Sequence, residues 1–291
     1  MMYEITHTTT YQYNQDVALC HNIARLLPRN TDTQTLQKST LHIVPLPEVM
    51  NAYEDFYGNN CLYFAVQEEH ISLHVAVQTL VEKKADAFRS ADQYQLYGWE
   101  QVLAEVQDVS GRYFDARQFT GATPMTEFNA EIADYARISF WPGRSFFDAT
   151  LDLIQRIYKD FEYRPGFTTI ATPLHELMEM KKGVCQDFAH LAIAAIRSLG
   201  LPARYVSGYL ETIAPPGKEK LTGTDASHAW MSIFLPNIGW VDFDPTNNMR
   251  TGDQHITIGW GRDYADVPPL KGVILGAGPH QLAVSVDVRR L

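Results

Sequence analysis

Side-chain periodicity changes along this chain, and the change restricts it to folds in which a strand-rich region is followed by a mixed one. From Tyr3 to about Glu82 the period is two: Tyr3, Ile5, His7, Thr9, Tyr11 and Tyr13 fall on one face, and Leu73, Val75, Val77 and Thr79 repeat the pattern. Such alternation is the mark of strands with one buried face. Turn signals at Pro28-Arg29-Asn30, Pro45-Leu46-Pro47 and Gly58-Asn59-Asn60 punctuate it as in a β-sandwich. Between about Ala85 and Pro142 the pattern is irregular and more polar, with one run, Glu127–Ala136, suited to a short helix. Helical spacing then appears at Phe146, Phe147, Leu151, Ile154, Ile157, Tyr158 and Phe161 and stops at Arg164-Pro165-Gly166, with a second helix expected over about Pro173 to Lys182. The organisation predicted is α+β: a β-rich, antiparallel sandwich-like domain over residues 1–84, a partly helical connector over 85–144, and a core over 145–291.

Composition narrows the partners. Of 291 residues, 45% are hydrophobic and 20% charged, enough apolar side chain for a sizeable core. The net charge of −10 leaves no broad basic surface, so neither nucleic acid nor an anionic membrane is an expected partner. No stretch reaches the ~20 apolar residues of a membrane span, and Met1–His7 lacks a basic n-region followed by an apolar run, so a cytoplasmic address is the expectation. Cys20, Cys61 and Cys185 form no CxxC pair and are odd in number, a poor disulfide framework and no zinc ribbon. Gly276-Ala277-Gly278-Pro279 lacks the lysine and following helix of a phosphate loop, and no run resembles an EF-hand, so no cofactor or metal is predicted.

Chemistry concentrates in three places. Lys182–Phe188 opens a helix whose apolar positions Phe188, Leu191, Ala192, Ala195, Ile196 and Leu199 keep the 3.6 period until Gly200 and Pro202 end it. Cys185 lies in its first turn and shares a side with Phe188, Ala189, Ala192 and Ile196, so the thiol faces the packed interior. Unpaired N–H groups and the positive dipole end favour a thiolate there. Taken alone, such a cysteine reads equally well as a small core residue. Downstream, Ser227–Phe234 and Trp240–Asp244 read as the arms of a β-hairpin. Centring it on Pro236 sets His228 opposite Asp244, close enough to fix the imidazole tautomer, and sets Asp242 opposite Trp230; a two-residue slip would exchange the acids. Nucleophile, base and orienter are the parts of covalent acyl transfer.

These residues resemble a known family. Gly183-Val184-Cys185, Ala203–Gly208, Asp225–Trp230 and Gly239–Asn247 look like the bacterial transglutaminase-like proteins in order, spacing and flanks. Arg25-Leu26-Leu27-Pro28-Arg29 and Asp55-Phe56-Tyr57-Gly58-Asn59 resemble the β-rich region that accompanies this core, and Gly261–Pro268 extends the likeness, leaving only the connector unmatched. The resemblance implies a papain-like, transglutaminase-like core in which the cysteine helix packs on an antiparallel sheet. It also implies the catalytic set Cys185, His228 and Asp244, the acid before Pro245-Thr246, and a thioester-forming enzyme acting on amide bonds of proteins or peptides. Asp242, where many relatives would carry a small or neutral residue, is a departure.

Two other classes remain beside this one at the level of sequence. A metal site could use Cys185, His228, Asp244 and His190, although no tight ligand spacing supports it and His190 reads better as a structural hydrogen bonder. A non-catalytic interaction scaffold could retain the fold. Sequence leaves the oligomeric state and a second oxyanion donor unassigned, and nominates as cleft walls the 211–221 segment with Pro215-Pro216-Gly217, Trp230, and residues 259–264. There, Arg262, Asp263 and Tyr264 either line the cleft or pair with each other.

Overall fold

The structure, a computed structural model, describes residues 1–84, 91–108, 111–212, 226–276 and 278–291. The alternating N-terminal region forms β1 (Met2–Ala24), β2 (Gln34–Val44), β3 (Val49–Glu54), β4 (Asn60–Val66) and β5 (His70–Lys83). β1 runs for 23 residues because its alternation is interrupted by neither proline nor glycine. Its pairing shifts between Gln12 and Val17; the first half pairs with β5 and the second with β4, in the order β2-β5-β1-β4-β3. The sheet curls there, bringing Leu73, Val75 and Val77 against Cys20, Phe64 and Val66 in one apolar core. This is the sandwich-like packing that the alternation requires.

The connector carries α1 (Ala91–Tyr94), α2 (Trp99–Gln107), α3 (Phe114–Arg117) and α4 (Ala130–Arg137). α4, which overlaps the expected helical run and extends one residue past it, is capped by the Asn129 side chain, which accepts from Ile132 N at 2.9 Å. Then come α5 (Phe146–Asp160), β6 (Glu162–Tyr163), α6 (Leu174–Met180), β7 (Lys182–Gly183) and α7 (Cys185–Arg197), with β6 and β7 paired in parallel. α7 is more central than one apolar face would suggest, since every residue from Asp187 to Arg197 is buried. Its alanines at 189, 192, 194 and 195 admit neighbours on all sides. Arg197 ends it by donating to the carbonyls of Phe119, Gly121, Ala203 and Arg262, tying connector, sheet and C-terminal segment to one guanidinium.

The core sheet comprises β8 (Ala203–Leu210), β9 (Ala226–Leu235), β10 (Gly239–Asp244), β11 (Met249–Arg250) and β12 (His255–Gly261), in the order β11-β10-β9-β8-β12. Ala203, Tyr205, Ala229, Met231 and Ile233 pack with Phe188, Leu191 and Ala192 of α7. A helix on an antiparallel sheet beside a separate strand domain makes the fold α+β.

One boundary differs from expectation. β13 (Leu270–Gly276) and β14 (His280–Arg290) lie inside the range 145–291 assigned to the core, yet both pair with β1 and complete a seven-stranded sheet. The cause is their apolar alternation: Val286 and Val288 join Tyr3 and Ile5 of β1 and Tyr209, Ile256 and Ile258 of the core sheet in a cluster spanning the two sheets.

The family-like N-terminal motifs close the same boundary. β12 is an edge strand, whose outer peptide groups need partners. The Gln34 amide donates to Thr257 O at 2.8 Å and accepts from Thr257 N at 2.9 Å; the Asn59 amide does the same with Trp260 O and N at 2.8 and 2.9 Å. Each amide thus imitates one residue of a further strand. Gly259 permits this approach, since a Cβ there would lie 2.7 Å from Asn59 Oδ1. Arg29 donates to Asn59 Oδ1 at 2.7 Å and covers the Trp260 ring at 3.3 Å.

Candidate active site

Cys185 is the first residue of α7, where helix geometry leaves N–H groups without an i−4 acceptor. The preceding turn is shaped for it. Lys181 adopts a left-handed φ of 54° to end α6. Gly183 has no room for a side chain, because a Cβ would meet Asp187 Oδ2 and Leu177 Cδ1 at 2.8 Å. The Asp187 carboxylate folds back over it, accepting from Val184 N at 2.8 Å and Thr168 Oγ1 at 2.6 Å, and burial raises its pKa. Cys185 is half-buried, whereas Cys20 and Cys61 are buried in the N-terminal domain, where desolvation pushes both thiols up.

The hairpin register corrects the expectation. Asn237 takes φ 60° and Gly239 φ 98°, so the hairpin centres on Asn237 rather than Pro236, with Gly239 paired to Leu235 and Asp242 to Ser232. His228 and Asp244 are therefore diagonal, not directly opposed. The diagonal is still within reach: His228 Nε2 and Asp244 Oδ2 are 2.7 Å apart. The other ring nitrogen is left free of Asp244, and the Cys185 thiol is near enough to act on the titration of the imidazole. His228 and Asp244 are thus in contact, and Cys185, 43 positions before His228 in the chain, bears on the same imidazole.

Asp244 is fully buried and held from five sides. Oδ1 accepts from Thr246 N at 2.9 Å and Asn247 N at 3.2 Å; Oδ2 accepts from His228 Nε2, from Asn247 Nδ2 at 2.7 Å and from His255 Nε2 at 3.0 Å. Burial alone would raise its pKa, but the hydrogen bonds and charges of the two imidazoles prevail and hold it below the ordinary carboxylate range. For His228 burial works toward the neutral form. The hydrogen bonds and charges of Asp244 and Cys185 outweigh it and raise the imidazole to about 10.

His255 escaped sequence reasoning. Its Nδ1 accepts from Gly252 N at 3.3 Å, so Nε2 carries the proton that goes to Asp244. The only signal was a histidine at the first position of a strand, which is common for other reasons. Asp242 has a different role from Asp244. It accepts from Trp230 Nε1 at 3.0 Å and from Ser232 Oγ, and its charge faces Arg204, whose guanidinium lies 4.2 Å from the Trp240 ring and 3.8 Å from the Trp260 ring.

The nominated walls divide. Trp230 is fully buried above Gly208, where a Cβ would be 2.2 Å from its ring, so it supports the site from beneath. Residues 262–264 largely pair among neighbours: Arg262 binds Asp266 at 2.9 Å, Asp263 caps a short turn through Ala265 N, and Tyr264 N donates to His190 Nε2 at 3.2 Å. Of the 211–221 segment only Glu211 and Thr212 are among the described residues; Pro215-Pro216-Gly217 and Asp225 lie outside them. Potential ligand atoms of His228, Asp244 and His255 fall within 4.8 Å of one another, but they are already joined by mutual hydrogen bonds. His190, read from the sequence as a structural hydrogen bonder rather than a ligand, accepts from Tyr264 N and lies against Tyr205 with ring centroids 4.9 Å apart.

Residues 3–82 match the family described as the bacterial transglutaminase-like N-terminal region, and residues 141–245 match the transglutaminase-like superfamily core. An uncharacterized protein of Mycobacterium tuberculosis is 40% identical over 294 residues, covering 98% of this chain and 92% of the relative. The crystal structure of a candidate cysteine protease from Cytophaga hutchinsonii superposes with a TM-score of 0.77 at 22% identity, covering 99% of this chain and 90% of the other. A protein-glutamine gamma-glutamyltransferase of Pseudomonas aeruginosa is 28% identical over 134 residues, 41% of this chain and 20% of that one.

Proposed function

Because this chain belongs to the bacterial transglutaminase-like proteins, we propose that it is a cysteine-dependent acyl-transfer enzyme acting on amide bonds of proteins or peptides. The observation that carries this reading is His228, 2.7 Å from a carboxylate held by five donors and raised in pKa by that carboxylate together with the helix-terminal Cys185. With the imidazole raised to about 10, His228 can hold the proton that Cys185 gives up as it becomes the thiolate nucleophile. The thiolate sulfur bonds to the carbonyl carbon and the carbonyl π pair moves onto oxygen. When that oxyanion collapses, the C–N bond breaks and His228 returns its proton to the departing amine, leaving a thioester on Cys185. Asp244 holds the imidazole and balances its charge. The Cys185 N–H is the first oxyanion donor, since it lies where the charge develops.

Water resolves the thioester as hydrolysis, an amine as transfer. The decisive assay follows a glutamine-containing protein for ammonia release, incorporation of a labelled amine and new peptide N-termini, with Cys185→Ala as the blank. Amine incorporation assigns a transferase and new N-termini a peptidase; ammonia release without incorporation assigns an amidase. Silence in all three channels across varied substrates supports the non-catalytic scaffold instead.

A further inference from the structure

A single N–H leaves the oxyanion half-supported, and resting on the acyl-transfer reading, we propose that the Tyr163 hydroxyl is the second donor to the oxyanion formed on Cys185. The placement follows from β6 and β7. Tyr163 is paired with Gly183, two residues before Cys185, and the ladder is fixed by Glu162 N to Lys181 O and Arg164 N to Gly183 O, both 2.8 Å. Its ring lies edge-on to Phe188, one helical turn beyond the cysteine, with centroids 6.4 Å apart. The side chain is therefore anchored to the cysteine's own helix at its N-terminal end. It is also 50% exposed, so a substrate carbonyl can reach it.

The hydroxyl is free to donate, since among the described residues no side-chain hydrogen bond uses it. Tyr205, the other tyrosine whose phenol senses Cys185, is buried against His190 and closed to substrate. Burial and the negative charge of Cys185 both raise the Tyr163 pKa, so the phenol keeps its proton and donates at neutral pH. Negative charge moving from sulfur onto the carbonyl oxygen strengthens that hydrogen bond in the transition state, the condition for a rate effect.

Two reagents separate this role from activation of the thiol. With p-nitrophenyl acetate, the Cys185 sulfur bonds to the acyl carbon, the carbonyl pair passes through an oxyanion, and the C–O bond breaks as nitrophenolate leaves. Iodoacetamide alkylates the same sulfur with loss of iodide and forms no oxyanion. Tyr163→Phe keeps the ring against Phe188, and the expected result is acylation slowed about 10²-fold with alkylation unchanged within about twofold. Acylation within about twofold of the parent, or both reactions slowed alike, overturns the assignment of Tyr163 while leaving the acyl-transfer reading intact. A parent protein in which Cys185 is alkylated no faster than Cys20 and Cys61 overturns that reading, and the Tyr163 proposal with it.

Discussion

His228 and His190 are both buried, at 8% and 3% exposure, and flank the same core, yet they titrate in opposite directions. Burial lowers His190 to about 3, and the nearby Arg197 charge adds to the effect. Its Nε2 accepts a backbone N–H and its face lies on Tyr205, and no carboxylate among the described residues receives a proton from the ring. His228 experiences the same desolvation and ends near 10, because Asp244 and Cys185 supply hydrogen-bond acceptors and negative charge. The lesson is that acceptors, not depth, decide which buried imidazole can carry a proton. The consequences for stability have opposite signs. His228, raised above its unfolded value of about 6.5, stabilises the fold at low pH and loses that contribution as pH climbs toward 10. His190, lowered, costs stability as pH falls from about 6.5 toward 3.

The sharpest way to break this contrast is Asp244→Asn. The amide cannot serve as an anionic acceptor for His228, so desolvation should dominate there as it does at His190. The expected outcome is acylation of Cys185 by p-nitrophenyl acetate slowed about 10³-fold or more, as when a triad acid is replaced by its amide. NMR titration should show His228 falling from about 10 to below 7. A variant retaining both rate and titration would show that Asp244 does not set the base.

The sequence carried the fold class, and it nominated three chemical residues from local traces: a cysteine at the onset of a 3.6-period run, a histidine in a strand, an acid before Pro245. Asp244 does contact His228, but not in the register expected, since hairpin centring depended on whether Asn237 or Pro236 sat at the apex, a one-residue matter of turn conformation. His255 and Tyr163 were invisible for another reason. Each reaches the site through tertiary pairing, β12 against β8 and β6 against β7, which no periodicity encodes. The pairing of β13 and β14 with β1 was missed likewise, because alternation shows that a strand exists but not which edge receives it.

A milder perturbation tests how much of Asp244's hold comes from His255. His255→Leu removes one of the five donors and should cost about 1.5–3 kcal/mol, the range for a lost hydrogen bond to a charged group, read as a lower urea midpoint. His255→Gln, whose amide N–H can occupy the place of Nε2, should recover most of that loss and restore the acylation rate. If glutamine is as damaging as leucine, ring packing against Trp230, at 5.2 Å between centroids, rather than donation to Asp244, is what His255 provides.

The smallest effect is expected at the other histidine. His190→Gln keeps an acceptor for the Tyr264 N–H but has no proton to gain, so acylation of Cys185 should stay within about twofold of the parent. Its signature is thermodynamic. Between pH 6.5 and about 3 the parent must exclude a proton that the unfolded chain takes up, which lowers stability by up to about 1.4 kcal/mol per pH unit. The variant should lose that slope, so urea-unfolding curves of the two proteins should converge or cross on acidification after differing near neutrality. Parallel curves across that window would mean that His190 protonates without penalty, and would place the difference between the two histidines elsewhere than in their acceptors.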